Sequence, residues 1–136
     1  MSIRVELVGT HHRLREGLRR ILEGGPDVLV VAEADSQADA VDLARRHHPD
    51  VAVVDLGAHE LNAIAVTAEI HRHSPSTAVL VLSMHADEQY VTRAVEAGAQ
   101  GYMLKDSVED ELLPAVESLR HGRTFFSPAL ERTRRV

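Results

Sequence analysis

Five times along this chain a short run of aliphatic and β-branched residues is followed by a longer segment whose apolar residues recur at helical spacing, and this alternation leaves few folds open. The runs fall at residues 3–8, 28–32, 51–55, 78–83 and 100–104, and each is nearly continuous in apolar character, as strands covered on both faces are. Between them, Leu14, Leu18, Ile21 and Leu22 share one face of a helix predicted over 13–23, which Gly24-Gly25-Pro26 stops. Ser36 with Asp39 three residues on starts a second helix that ends ahead of Pro49. A third helix is predicted over 63–73, ending before Pro75. A fourth carries Val91, Ala94, Val95 and Gly98 on its inner face. Ser107 with Asp110 is expected to cap a fifth helix that runs to about Arg120, with a kink at Pro114 and a stop at Gly122. Short connections and right-handed crossovers then give an α/β, doubly wound, five-stranded parallel sheet of order 2-1-3-4-5, flanked by five helices in the flavodoxin-like manner. In such a sheet the functional site lies beyond the carboxyl ends of the strands, between strands 1 and 3.

The remaining composition narrows the class. A chain of 136 residues is about one domain, here residues 1–123, with 124–136 as a tail or the start of an interdomain linker. Its apolar runs are too short to span a bilayer and no secretory signal opens it, so no membrane is expected. The absence of cysteine removes disulfide and thiolate-metal chemistry and suits a reducing cytoplasm. A formal charge of −6 argues against a dedicated nucleic-acid-binding domain, although Arg132, Arg134 and Arg135 are locally basic.

The strand ends carry a recognisable set: Asp55 closing strand 3, Ser83 closing strand 4, and Gly101-Tyr102-Met103-Leu104-Lys105 in strand 5. With Arg15-Glu16-Gly17-Leu18 in the first helix, Tyr90 in the fourth, and Phe125-Phe126-Ser127-Pro128 after the fifth, this resembles the response-regulator receiver domain. The likeness is to the subfamily that usually carries a LuxR-type helix-turn-helix output. It implies Asp55 as the phosphoacceptor, Ser83 as the hydroxyl that turns toward a phosphoryl group, Lys105 as its cationic partner and Tyr102 as the switch aromatic. It implies a signalling domain rather than an enzyme, with a histidine kinase and a second copy of the chain as partners, and DNA met only through an output domain beyond this chain.

One departure bears on chemistry. The family ends strand 1 with two adjacent acids that hold Mg²⁺; here those positions are Gly9 and Thr10. Magnesium is bound through oxygen ligands with one or two carboxylates among them, so no cofactor is expected and magnesium binding is expected to be weak or absent. Glu6 lies three residues upstream, about 10 Å back along the strand, and cannot stand in. The loop after Asp55 reads Ala58-His59-Glu60-Leu61-Asn62-Ala63, without the family's proline and glycine. The expectation is an atypical receiver of a transcription regulator, phosphorylated weakly or not at all. The alternatives are a degenerate receiver used as a small-molecule sensor, or a stand-alone regulator acting by protein contact. His11, His12, His59 and His85 are expected to fringe the site, as a pH-sensitive rim before a transition-metal site. Gly57, where a phosphatase of similar topology carries a second acid, argues against that enzyme class.

Overall fold

The computed structural model describes residues 2–55, 60–84, 87–128 and 130, with only the backbone at 60–62. The elements are β1 (Ile3–Gly9), α1 (His12–Glu23), β2 (Val28–Ala34), α2 (Gln37–His47), β3 (Val51–Asp55), α3 (Glu60–His73), β4 (Ala78–Ser83), α4 (Glu88–Ala97), β5 (Gly101–Leu104), α5 (Val108–Arg120) and β6 (Phe125–Phe126). A single 3-10 turn, Lys105–Ser107, joins β5 to α5. The sheet is parallel throughout, in the order β2-β1-β3-β4-β5-β6. The five expected strands stand in the expected order, and a sixth of two residues extends the edge.

Alternation along the buried strands divides the core in two. Ile3, Val5, Leu7, Val53, Leu80, Leu82 and Met103 face α1 and α5, whose Leu18, Leu22, Leu112, Val116 and Leu119 cover them. Val8, Ala52, Val54, Val79 and Val81 face the other way, under α2, α3 and α4. That second layer is built from small residues, Ala40 and Ala44 on α2 and Ala52 on β3, which let helix and sheet approach closely. Burying each large aliphatic side chain contributes about 1.5–3 kcal/mol.

Local signals act unevenly. The Ser36 cap forms, its hydroxyl oxygen accepting from the Asp39 N–H at 3.2 Å. The expected Ser107–Asp110 box does not: Ser107 ends the 3-10 turn at φ −104, ψ 4, away from the extended backbone an N-cap adopts, and makes no side-chain cap bond. Helix α5 continues through Pro114 to Arg120. Val95, expected on the inner face of α4, is 45% exposed. The helix rests on α3 and β5 along the stripe of Val91 and Ala94, and Val95 falls on the open flank. Glycine is required at Gly98, which ends α4 at φ +114 with the His71 ring packed where a Cβ would stand.

Candidate functional site

The carboxyl ends of β1, β3, β4 and β5 converge because parallel strands in register end together, and they bring four of the six residues singled out from the sequence to one edge. Asp55 ends β3 and is 2% exposed. The residue opposite it in the β1–β3 ladder is Gly9. Ser83 ends β4, fully buried, and pairs in register with Leu104, the residue before Lys105. From the start of the 3-10 turn, Lys105 reaches back so that its Nζ lies 2.7 Å from Asp55 Oδ1. Both side chains are well covered, so the pair sits where the attraction between opposite charges is stronger than in water. Tyr102 lies further back, 1% exposed in the core layer beneath α3 and α4, in register with Val81. Thr10 is exposed just past the end of β1.

The backbone around Gly9 is tight. A Cβ added there would stand 2.7 Å from the Asp55 carbonyl oxygen, closer than a carbon approaches backbone without displacing it. From the first turns of α1, Arg15 donates through Nη1 to the Gly9 carbonyl at 2.5 Å, while its Nε lies 3.6 Å from Glu33 Oε1. A guanidinium thus reaches the end of β1, and Lys105 brings a second cation to the same edge.

The histidine rim divides. His12 turns to its own helix, with Nε2 3.0 Å from Glu16 Oε1 and Nδ1 3.4 Å from Arg15. His11 is exposed at the N-cap of α1. His59, His85 and the altered loop as far as Asn62 lie outside the described residues or have no described side chain, as do Gly57 and the tail arginines. Among the described residues no group of three or more His, Cys, Asp or Glu side chains could hold a metal ion.

Two features were not read from the sequence. Glu6, considered only as a distant substitute ligand, is fully buried in the core. Neither of its carboxyl oxygens has a hydrogen-bond partner among the described residues, and burial pushes its pKa up to about 8. It sits where the β1–β2 register slips by one residue, between Val5 and Glu6. Its one sequence signal was a charge inside an otherwise apolar run. The second feature is Ser127: its N–H donates to the Tyr102 carbonyl at 3.1 Å, its Oγ accepts from the Leu104 N–H at 3.1 Å, and its hydroxyl donates to Glu111 Oε1 at 2.6 Å.

Comparison with known proteins gives a consistent picture. The profile of the response regulator receiver domain matches residues 5–117. The transcriptional regulatory protein DegU of Brevibacillus brevis is 36% identical over 127 residues, covering 93% of this chain and 54% of that protein. The probable transcriptional regulatory protein NarL of Mycobacterium tuberculosis H37Rv is 36% identical over 129 residues, covering 95% and 60%. This chain therefore spans little more than half of these curated relatives. Among solved structures, a LuxR-family two-component response regulator from Aurantimonas sp. SI85-9A1 superposes with a TM-score of 0.88 at 34% identity, covering 97% of this chain and 94% of that one. The signal receiver domain of NarL from Mycobacterium tuberculosis does so with 0.82 at 36%, covering 90% and 98%.

Proposed function

We propose that this chain, which belongs to the response regulator receiver domain family, serves a LuxR/NarL-type transcription regulator without depending on a phosphoryl group at Asp55. It is a signalling domain and not an enzyme. The observation that carries the proposal is the Lys105–Asp55 ion pair at 2.7 Å with Gly9, not an acid, opposite Asp55. A family member of this kind implies Mg²⁺ at the strand ends, and the residues present do not fit it. Asp55 already faces an ammonium group, Gly9 and Thr10 offer no carboxylate, and Arg15 places a further cation at the end of β1. A phosphoryl group would bring a charge of about −2 to a site that offers it no divalent cation. Phosphoryl transfer is mostly positioning and charge stabilisation, so both the rate and the equilibrium are disfavoured.

The test is intact mass after incubation with acetyl phosphate and Mg²⁺, with Mg²⁺ titration followed by NMR. The unmodified chain should gain no mass and show no millimolar-affinity magnesium site. Gly9→Asp with Thr10→Asp should restore metal binding, although the Cβ introduced at position 9 must first push back the Asp55 carbonyl. Stoichiometric phosphorylation of the unmodified chain at Asp55 would overturn the proposal.

For the whole regulator we propose a cytoplasmic location, a histidine kinase as upstream partner, DNA contact through a further domain, and a weak symmetric homodimer. Among the described residues no helix is long and apolar enough to cross a membrane. The dimer reading is supported by a notch of about 440 Å³ beside Leu113 and Pro114 of α5, lined also by Ile3 and Val28. A strict monomer in sedimentation at high micromolar concentration would remove it. A second reading, a sensor of a small anionic metabolite, is favoured by the two cations at the strand ends. A ligand seen by native mass spectrometry of the purified chain would support it over the first.

A further inference from the structure

We propose that the joined carboxyl ends of α2 and α3 form a proton-gated surface for the phosphodiester backbone of duplex nucleic acid. The two helices end alike: Arg45-Arg46-His47 closes α2, with His48 as its C-cap, and His71-Arg72-His73 closes α3. Basic residues in a last turn ordinarily answer the partial negative charge of the helix end. At α2 that need is met from inside the fold, because Arg4 of β1 donates through Nη1 to the carbonyls of His47 at 2.6 Å and His48 at 3.3 Å. His48 holds the cap in the left-handed region, at φ +45, which a residue with a Cβ adopts at some cost.

The helices meet through a contact that depends on protonation. Arg45 lies with a guanidinium nitrogen 3.0 Å from His73 Nδ1, and His73 Nε2 lies 3.2 Å from Glu69 Oε2. A guanidinium can only donate, so this geometry requires Nδ1 to accept, which makes His73 a neutral imidazole that donates to Glu69. Protonation puts a hydrogen on Nδ1, sets two donors against each other, tightens the pair with Glu69 and turns Arg45 outward.

Charged groups of both signs face this surface. Arg46 pairs with Asp42 on its own helix at 2.6 Å, and Arg72 approaches Glu69 at 3.9 Å. From the strand side, Asp50 accepts from the Arg4 backbone N–H. The end of α4, which packs on His71 at Gly98, carries Glu96 and, three residues earlier, Arg93, both exposed, and the cleft that holds Asp50 beside Pro75 and Ser76 is lined also by Arg120 and Arg123. Protonation of His47, His48, His71 and His73 would add four positive charges to these arginines and carboxylates. Imidazole is the side chain whose charge ordinarily changes between pH 5 and 8.

The occupant follows from what the surface lacks. Protein–protein interfaces centre on apolar and aromatic groups with charge at the rim. Here the outward groups are guanidinium and imidazole with carboxylates among them, and the cationic ones are what a repeating phosphate backbone pairs with. The surface lies at the amino ends of the strands, away from Asp55, and rests on nothing proposed for that site.

The experiment is fluorescence anisotropy of a labelled duplex of arbitrary sequence with the whole chain at about pH 6 and about pH 8, as a function of salt. Binding should be about tenfold tighter at the lower pH. If two imidazoliums neutralise phosphates, the slope of log K against log salt should steepen by about 1.8. His73→Gln with His48→Gln, which removes the imidazole between Arg45 and Glu69 and the exposed one at the cap, should erase most of the pH effect while binding at about pH 8 is kept. Arg72→Glu, at a side chain 75% exposed, should weaken binding at both pH values. No binding at either pH would overturn the proposal, as would a pH effect that survives the double substitution. Displacement by a polyglutamate peptide as readily as by unlabelled duplex would overturn the nucleic-acid assignment and make the surface a site for an acidic protein.

Discussion

Glu6→Gln should raise the stability of this fold at neutral pH, by an amount that grows as the pH rises. The carboxyl group is fully buried without a partner among the described residues, and burial pushes its pKa from 4.5 to about 8. The folded state therefore holds a proton there that the unfolded chain releases above pH 4.5. Between pH 4.5 and 8 folding takes up this proton, so the wild-type protein loses stability with rising pH across that window and levels off beyond it. Each pKa unit corresponds to 1.36 kcal/mol. At pH 7 the two and a half units above the unfolded pKa amount to about 3 kcal/mol, and the plateau above pH 8 to about 5 kcal/mol. For a domain of this size, 3 kcal/mol is roughly 10 °C in Tm. The assay is thermal and urea unfolding of wild type and Glu6→Gln from pH 4.5 to 9; the difference between them cancels the nine histidines common to both chains. The two proteins should unfold nearly together at pH 4.5 and diverge upward. Glu6→Leu should follow the same course with a further gain, since it leaves no amide to bury. A difference that stays flat with pH, or a Glu6→Gln protein less stable at every pH, would refute the reasoning and mean that the carboxylate is ionised and held by a partner.

Two other substitutions probe the site edge. Lys105→Ala takes the cation from a carboxylate that is 2% exposed and should destabilise the fold by about 3 kcal/mol, read in urea unfolding, with Lys105→Met no better because it restores packing without charge. Ser127→Ala removes an acceptor for Leu104 and a donor to Glu111 and should cost about 1–3 kcal/mol, with amide exchange at Leu104 accelerated more than at Val53.

Much of the architecture was legible because each buried strand announces itself as an apolar run and each helix by its period. Val51–Asp55 and Ala78–Ser83 coincide with the predicted runs, and Asp55, Ser83 and Lys105 could be placed at strand ends from their positions alone. Signals that depend on tertiary setting were not legible. Ser107 reads as a cap, yet the chain must first turn Lys105 toward Asp55, and the 3-10 turn that does so takes Ser107 out of cap geometry. Val95 matches the helical period, but α4 is covered along one narrow stripe. Phe125-Phe126 is too short for any period to mark and becomes a strand only because β5 offers a free edge. The burial of Glu6 was hidden for a related reason: a strand covered on both faces has no polar side, so a carboxylate in it cannot be assigned to solvent or core by alternation.

The bonds at Ser127 also decide where movement goes. Tyr102, Leu104 and Glu111 are tied through one residue, and Leu130, fully buried, anchors the chain again three residues later. Among the described residues, these bonds join the strand that leads into Lys105 directly to the segment that follows β6. A change in the tilt of β5, whatever ligand or partner produces it, is therefore delivered to that segment as a displacement rather than absorbed as slack. Strand β5 works as a lever whose short arm is Tyr102 and whose long arm is whatever polypeptide is attached beyond Leu130.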